Sequence, residues 1–407
     1  MQDHDLVIVG GGLNGAALAL ACAGAGLRAA VIDRETVDTQ SEPGFDGRSY
    51  ALAAASQRML GALGLWDSLR MHAQPILEIK ASDGRAGEGA APFVLHFDHA
   101  ELEEGPMGWM VEDRHLRRVL LRALADTEGV DHRPGETVVA QEVAGHVARV
   151  TLASGDTLAA PLLVGADGLS SGTAARAGIG RMGWGYGQTA LVCAVAHERP
   201  HHGIAHQFFM PGGPLAILPL TGDRSSIVWS ERDDLARAVM VLDDAGFLEA
   251  LRPRFGDFLG ALTLAGDRYS YPLMLSLARA ITAERLALVG DAAQRVHPIA
   301  GQGLNQGLRD VGSLAQVLAE ARRRGEDIGA GDVLERYRQW RSFDRATLAL
   351  ATDGFNRLFS NDNPLLRAGR DLGMGIVSHM PGLRRGFMRE AAGLSGDVPR
   401  LLRGLPA

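Results

Sequence analysis

Leu6-Val7-Ile8-Val9-Gly10-Gly11-Gly12-Leu13-Asn14-Gly15 decides the fold. The first four residues are apolar and mostly β-branched, as a strand buried on both faces requires. The glycines follow at once and fit G-x-G-x-x-G. Ala16 to Ala25 is rich in alanine and leucine and predicts a helix, with Gly26 as its stop. Ala29 to Ile32 reads as a second strand, closed by Asp33. This strand–turn–helix–strand order is a dinucleotide-binding unit. Gly10 permits the tight turn, Gly12 lets backbone approach a pyrophosphate, and Gly15 lets helix and strand pack closely. The open helix start offers N–H groups and a positive dipole to phosphates. Asp33 can accept hydrogen bonds from a ribose diol. An acid there disfavours a 2′-phosphate, although Arg34 beside it weakens that exclusion. The unit by itself does not separate FAD from NAD.

Two later stretches favour the flavin. Leu162-Leu163-Val164-Gly165-Ala166-Asp167-Gly168 is a strand ending in a glycine-flanked acid, and Leu286 to Ala293 repeats the design around Asp291. An acid on such a turn meets ligand hydroxyls without crowding. FAD carries a ribitol chain that needs such partners, and NAD does not. His297-Pro298-Ile299-Ala300-Gly301-Gln302-Gly303-Leu304-Asn305 comes next. Pro298 sets a bend, and Gly301 and Gly303 keep a loop free of Cβ atoms so that it can lie against a flat ring. A helix is expected from about Leu304 to Ala321, with its N-terminal dipole toward the N1/O2 edge of the ring.

Composition narrows the classes further. The chain has 407 residues, 46% hydrophobic and 22% charged, an ordinary globular make-up large enough for two or three domains. The 52 glycines are roughly twice the usual share and imply many tight turns. The net charge of −7 argues against a nucleic-acid surface. Cys22 and Cys193 each sit in an apolar run and read as reduced buried thiols rather than a disulfide or metal ligands. No window reaches the roughly 18 uninterrupted apolar residues of a membrane span. No basic region precedes the first apolar run, so a cytoplasmic protein is expected, with peripheral membrane contact open. His201, His202 and His206 lack further ligands at metal-binding spacing and read as loop residues; no metal is expected. His297 reads equally as a proton relay or a packing residue. No G-x-S-x-G or H-E-x-x-H supports a hydrolase. From Leu365 onward seven arginines face three acids, a local balance of +4 in an acidic chain. That segment reads as a helical cap, or as a membrane-surface or partner-binding segment.

The motifs and their spacing resemble the group A flavoprotein aromatic hydroxylases, the p-hydroxybenzoate hydroxylase superfamily. Within it they resemble the UbiH/UbiI/UbiF group of ubiquinone-biosynthesis hydroxylases. Asp46-Gly47-Arg48, Leu63-Gly64-Leu65-Trp66, Gly213-Pro214-Leu215-Ala216, Val228-Trp229, Tyr271-Pro272-Leu273 and the stretch Gly290 to Asp310 carry the likeness. It implies an α/β protein: a Rossmann-type FAD-binding domain with a β-sheet substrate domain and a helical C-terminus. The expected boundaries are 1–75, 101–178 and 279–345 for the FAD domain, 76–100 and 179–278 for the substrate domain, and 346–407 for the helical segment.

The resemblance also implies roles. Gly10, Gly12, Leu13, Asn14, Gly15, Asp33 and Arg34 would hold the ADP part of FAD. Arg48 would lie near flavin and pyrophosphate, and Asp167 would face both FAD and NAD(P)H. Asp291 would bind ribitol; Pro298, Gly301, Gln302, Gly303, Leu304 and Asn305 would line the isoalloxazine. The expected activity is hydroxylation of a polyprenyl-phenol through a C4a-hydroperoxyflavin, with O2 as cosubstrate and NAD(P)H as electron donor. One departure bears on the donor. Where the family has arginine after the Asp-Gly motif, this chain has Ala174, and Arg176 is the nearest substitute. Alternatives are a hydroxylase of a small soluble aromatic, a prenyl-chain reductase, or a non-catalytic flavoprotein subunit of a ubiquinone-biosynthesis complex. Phe208, Phe209, Leu215, Ile217 and Leu218 read as pocket lining or, better, as sheet core.

Overall fold

The computed structural model describes residues 4–41, 44–45, 47–87, 89–101, 104–297, 301–359 and 378–407. Its first layer is a six-stranded sheet in the order Thr282–Ala283, Leu286–Leu288, Leu162–Gly165, Leu6–Val9, Ala29–Asp33, Val130–Pro134. All neighbours are parallel except the first pair, which is a short hairpin. The strand Leu6–Val9 is buried throughout, which explains its unbroken apolar sequence. The crossover helix Leu13–Gly24 begins before the expected Ala16, because Gly12 is already extended and ends the turn. That helix packs on Gln302–Arg323, which likewise starts and ends two residues beyond its expected limits.

Register matters more here than any single strand. Val9 pairs with Gly165 and with Ile32, and Gly165 pairs with Leu288. Four adjacent parallel strands therefore end level with one another. Their carboxyl ends carry Gly10, Asp33, Asp167 and Asp291 along one edge. Open α/β sheets bind ligands at this edge.

The second large sheet runs Gln294–Arg295, Tyr269–Ala278, Arg181–His197, Arg224–Arg232, Leu215–Leu220, Ile204–Phe209, Glu78–Arg85, Gly89–Asp98. One of its faces is covered by the helices Asp233–Met240 and Asp244–Phe255. Leu191, Cys193, Val195, Leu215, Ile217, Ile227 and Trp229 pack there against Phe247, Leu251 and Phe255. Phe208 joins the same cluster, so Leu215, Ile217 and Phe208 are core side chains, as the sequence favours. Leu218 belongs to a different cluster on the opposite face, with Met110, Ala194 and Met388.

The helix Gly331–Phe359 runs without a break through the expected 345/346 boundary. Helix Pro381–Ala391 follows among the described residues. Both cysteines are buried, and burial pushes their thiols up to about 12, so neither is a thiolate at neutral pH.

The glycine turn makes a sharp stability prediction. A Cβ on Gly15 would lie 1.8 Å from the Gly10 carbonyl oxygen, which is backbone and cannot rotate away. Gly15→Ala should cost about 1–3 kcal/mol or more, read as a lowered urea midpoint; an unchanged midpoint would contradict this packing.

Candidate functional site

The site builds up from the glycine turn. Gly10 has φ +103°, and a Cβ there would meet the Ala166 carbonyl oxygen at 2.5 Å. Gly10 and Gly15 are thus required by backbone packing alone. Gly12 differs: a Cβ there meets nothing within 4 Å. The helix behind it has no side-chain cap, so its first N–H groups are open. Asp33 braces the turn, accepting Gly11 N–H at 2.6 Å and Glu35 N–H at 2.8 Å. Arg34 beside it is exposed. A cavity beside the turn is lined by Gly11, Gly12, Leu13, Gln40, Arg117 and Leu121.

Asp113 organises the cations nearby. It is buried and takes Arg117 Nε at 2.7 Å and Arg48 Nη2 at 3.5 Å. Burial and the Asp113 charge push the Tyr50 hydroxyl up and keep it protonated. Arg48 also lies over the Tyr269 ring, 5.9 Å from its centroid. Asp46, beside it in sequence, lies outside the described residues. Arg117 and Gln40 are candidate cofactor neighbours that sequence reasoning missed. Arg117 sits on the amphipathic helix Asp113–Asp126, where another charge reads as a solvated face.

The two acid turns differ. Asp167 accepts from Ser171 Oγ at 2.5 Å and from Thr173 N and Oγ1 at 2.9 Å. Its carboxylate therefore caps the short helix Gly172–Arg176, with Ser171 as the N-cap residue. Arg176 turns away toward Gln141 Oε1 at 3.1 Å and the Val138 carbonyl at 3.3 Å. It lies two residues after Ala174, which holds the position three after the serine where the family has arginine. Asp291 is the opposite case. Its carboxyl makes no side-chain hydrogen bond among the described residues, and burial raises its pKa against the lowering pull of Arg295 and Arg181. Asp291 is half-buried, so its open carboxyl stays within reach of a ligand hydroxyl.

Asn14 is wedged between the acid turn and the long helix. A Cβ on Gly290 would lie 2.4 Å from Asn14 Nδ2, and one on Gly307 would lie 2.4 Å from its Oδ1. Gly301 has φ +63° and opens the helix Gln302–Arg323, whose N-terminus has no side-chain cap and no acid in its first turn. Gln302, Gly303 and Leu304 form that turn, and Gly303 is exposed with open space at its Cα. Asn305 is fully engaged. Its Oδ1 accepts from Ala53 N and Ser56 Oγ; its Nδ2 donates to the Ala51 and Gly301 carbonyls. Its side chain ties the helix start to the strand Ser49–Ala53. Pro298 lies outside the described residues. His297 is fully buried, both ring nitrogens lack partners among the described residues, and burial pulls its pKa down to about 4. It is a neutral imidazole. His201 is no solvated loop residue; its Nε2 reaches the Leu220 and Gly222 carbonyls and its Nδ1 accepts Gly203 N–H.

These features fit FAD. Gly12 leaves a side-chain-sized gap at an open helix start, which suits a pyrophosphate. Asp291 would meet ribitol, and the uncapped N-terminus at Gln302 would favour the electron-rich edge of the flavin.

The chain matches the FAD binding domain family over residues 3–348. It is 45% identical to ubiquinone hydroxylase UbiL of Rhodospirillum rubrum, covering 99% of this chain and 93% of that one. It is 34% identical to the 3-demethoxyubiquinol 3-hydroxylase of Escherichia coli, covering 97% and 99%. Among solved structures, p-nitrophenol 4-monooxygenase PnpA of Pseudomonas putida superposes with a TM-score of 0.79 at 21% identity, covering 97% and 98%, which speaks for the fold.

Gly12 and Gly15 should separate cleanly on mutation. Gly12→Val should yield folded but colourless protein, since the new side chain fills ligand space and not protein. Absorbance of the purified protein checks this; a yellow Gly12→Val with full flavin content would place the pyrophosphate elsewhere. With the glycine turn, the acid turns and both sets of relatives in agreement, the chain belongs to the FAD binding domain family and, within it, to the FAD-dependent ubiquinone-biosynthesis hydroxylases.

Proposed function

We propose that this protein hydroxylates the ring of a neutral polyprenyl-phenol intermediate of ubiquinone, using NAD(P)H and O2. The observation that carries this reading is a half-buried row on the face of the large sheet opposite its two helices. Ala216 pairs with Val228, Val228 with Val192, and Val192 with Tyr269, forming one row across four strands. All four are half-buried, whereas their neighbours Leu215, Ile227, Trp229 and Leu191 are buried against helices. Tyr271 stacks beside Tyr269 with ring centroids 6.3 Å apart.

This row lies toward the cofactor domain. A Cβ on Gly47 would touch the Asp267 carbonyl at 2.9 Å and Ala194 N at 3.8 Å, so the segment bearing Arg48 runs against the sheet. The same segment continues to Ala51, which abuts Gly301. An aromatic ring resting on small apolar side chains and tyrosines would face the flavin loop. The row holds no carboxylate and no ammonium group, and Arg48, which lies over the Tyr269 ring, pairs with Asp113. It therefore suits an uncharged ring.

Bound FAD supplies the redox chemistry and oxygen activation. The chain's part is positioning and exclusion of water. Met110, Ala194, Leu218 and Met388 form an apolar wall near the row. His297, neutral and buried, can donate or accept one hydrogen bond without introducing charge. Purified holoprotein given NAD(P)H, O2 and a short-chain prenylphenol should form a hydroxylated product. A ring-carboxylated phenol should turn over at least about tenfold more slowly, because desolvating an unpaired carboxylate is unfavourable. Preference for water-soluble, carboxylated phenols would reject the reading.

The same reading includes a peripheral contact with an anionic membrane surface. No helix among the described residues is long and apolar enough to cross a membrane. On helix Pro381–Ala391 the inward face carries Arg384, paired with Glu101, and the buried Met388. The outward face carries Leu383 and Phe387, each 44% exposed, next to Met380 at 50%. Arg385 and Arg389 are exposed on another face of the same helix, and Arg389 pairs with Glu104. An exposed apolar stripe on a helix that also carries exposed arginines suits the headgroup boundary of an anionic bilayer. The protein should sediment with anionic vesicles more than with neutral ones, and Leu383→Glu with Phe387→Glu should release it. Equal sedimentation of wild type and variant would remove this contact from the proposal.

A further inference from the structure

The turn Gly290–Ala292 is held from behind by a buried ionic network that no motif assigns to the cofactor. Asp310 and Arg341 are both 0% exposed. Arg341 Nε donates to Asp310 Oδ1 at 2.7 Å, and Asp310 Oδ2 accepts the Gly290 N–H at 3.1 Å. Arg341 is itself fixed by Asp344 Oδ2 at 2.7 Å and Gln306 Oε1 at 3.0 Å. Asp344 also takes Arg309 Nε at 2.8 Å.

The carbonyls around the turn are engaged. Tyr337 Oη donates to the Leu288 carbonyl at 2.9 Å. Arg181 donates to the Asp291 and Ala292 carbonyls, at 3.1 and 2.7 Å. Arg345 donates to the Ala293 carbonyl at 3.0 Å. Gly290 sits at φ +61°, the left-handed region, which needs a partner to hold it in place. Among the described residues, no side-chain hydrogen bond fixes the Asp291 carboxyl, so its direction is set by the turn that carries it.

A buried ion pair contributes little net stability, because desolvation offsets the attraction. Here one oxygen of the pair does a separate task at a backbone N–H. We propose that Asp310 is a positioning residue for the cofactor: it fixes the Gly290 amide and thereby aims the Asp291 carboxyl, and Arg341 acts through it. This rests on the reading that Asp291 meets the cofactor.

The test uses the full chain and compares three variants. Asp310→Asn, made together with Arg341→Met so that no cation competes for its single carbonyl oxygen, keeps an acceptor for Gly290 N–H but loses the ion pair. Asp310→Ala loses both. Asp291→Ala tests the underlying reading. Apoprotein of each is titrated with FAD, and its thermal midpoint is measured without FAD. Both Asp310 variants should lower the midpoint to a similar degree, since both break the ion pair. Only Asp310→Ala should weaken FAD binding, by about tenfold, the effect of one lost buried acceptor; Asp310→Asn should stay within about threefold of wild type. Asp310→Leu combined with Arg341→Met leaves no unpaired charge and serves if Asp310→Ala fails to fold; it too should bind FAD about tenfold more weakly. FAD affinity that follows the midpoint equally in Asp310→Asn and Asp310→Ala overturns the positioning role. So does an effect of Asp291→Ala without one in Asp310→Ala. Unchanged affinity in Asp291→Ala overturns the reading of the turn itself.

Discussion

The fold depends on one close backbone approach. The first helix crosses the strand ends so tightly that Gly15 rests on the Gly10 carbonyl, and Gly10 in turn rests on Ala166. No residue with a Cβ fits either place. This contact locks the strands Leu6–Val9 and Leu162–Gly165 at one height. Every other candidate ligand group is referred to that height. Leu286–Leu288 continues the ladder on one side and Ala29–Asp33 on the other, so Asp291 and Asp33 emerge at the same edge.

The long-range ties have a different character. Asn305 and Asp310 join elements far apart in sequence through hydrogen-bonded side chains. Asn14 joins them by packing, in space cleared by two glycines, Gly290 and Gly307. Asn305 accepts from the Ala53 amide and the Ser56 hydroxyl and donates to the Ala51 carbonyl and to the Gly301 carbonyl at its own helix start. Unpaired buried polar groups are costly and paired ones are specific. The helix Gln302–Arg323 is therefore held in one rotation and one axial position, and its open N-terminus is held with it. The ADP end and the flavin end of the site are thus positioned by the same helix-on-sheet layer.

The large sheet shows how one pattern serves two purposes. Alternation along Arg181–His197 sends Leu191, Cys193 and Val195 into a helix-covered core and Ala190, Val192 and Ala194 to the other face. The covered face carries large residues up to Trp229 and Phe247. The other carries alanine, valine, serine and tyrosine, with Leu218 beside them. Small side chains leave room for a ring, and the rigid strands behind them keep that room constant.

Much of this was legible in the sequence. The Rossmann unit, the two acid turns and the glycine loop are local features, with each residue's job set by its immediate neighbours. Backbone geometry imposes glycine where a Cβ would collide, so the pattern of glycines is itself a record of close contacts. Other assignments depended on partners distant in the chain. Asp167 and Asp291 sit in turns of nearly identical wording, yet one carboxylate is taken up by Ser171 and Thr173 and the other is left open. Arg117 reads as a surface charge until Asp113 turns it toward the glycine cavity. Asn305, expected beside the flavin, also has its side chain engaged in four hydrogen bonds that its place in the motif does not announce. The sequence by itself determined that a dinucleotide fold binds FAD here, because that needs only short-range backbone geometry. Tertiary structure alone decided which of the acids and arginines are taken up by other protein groups and which are left open, because a side chain's partners are set by packing between elements that sequence spacing does not encode.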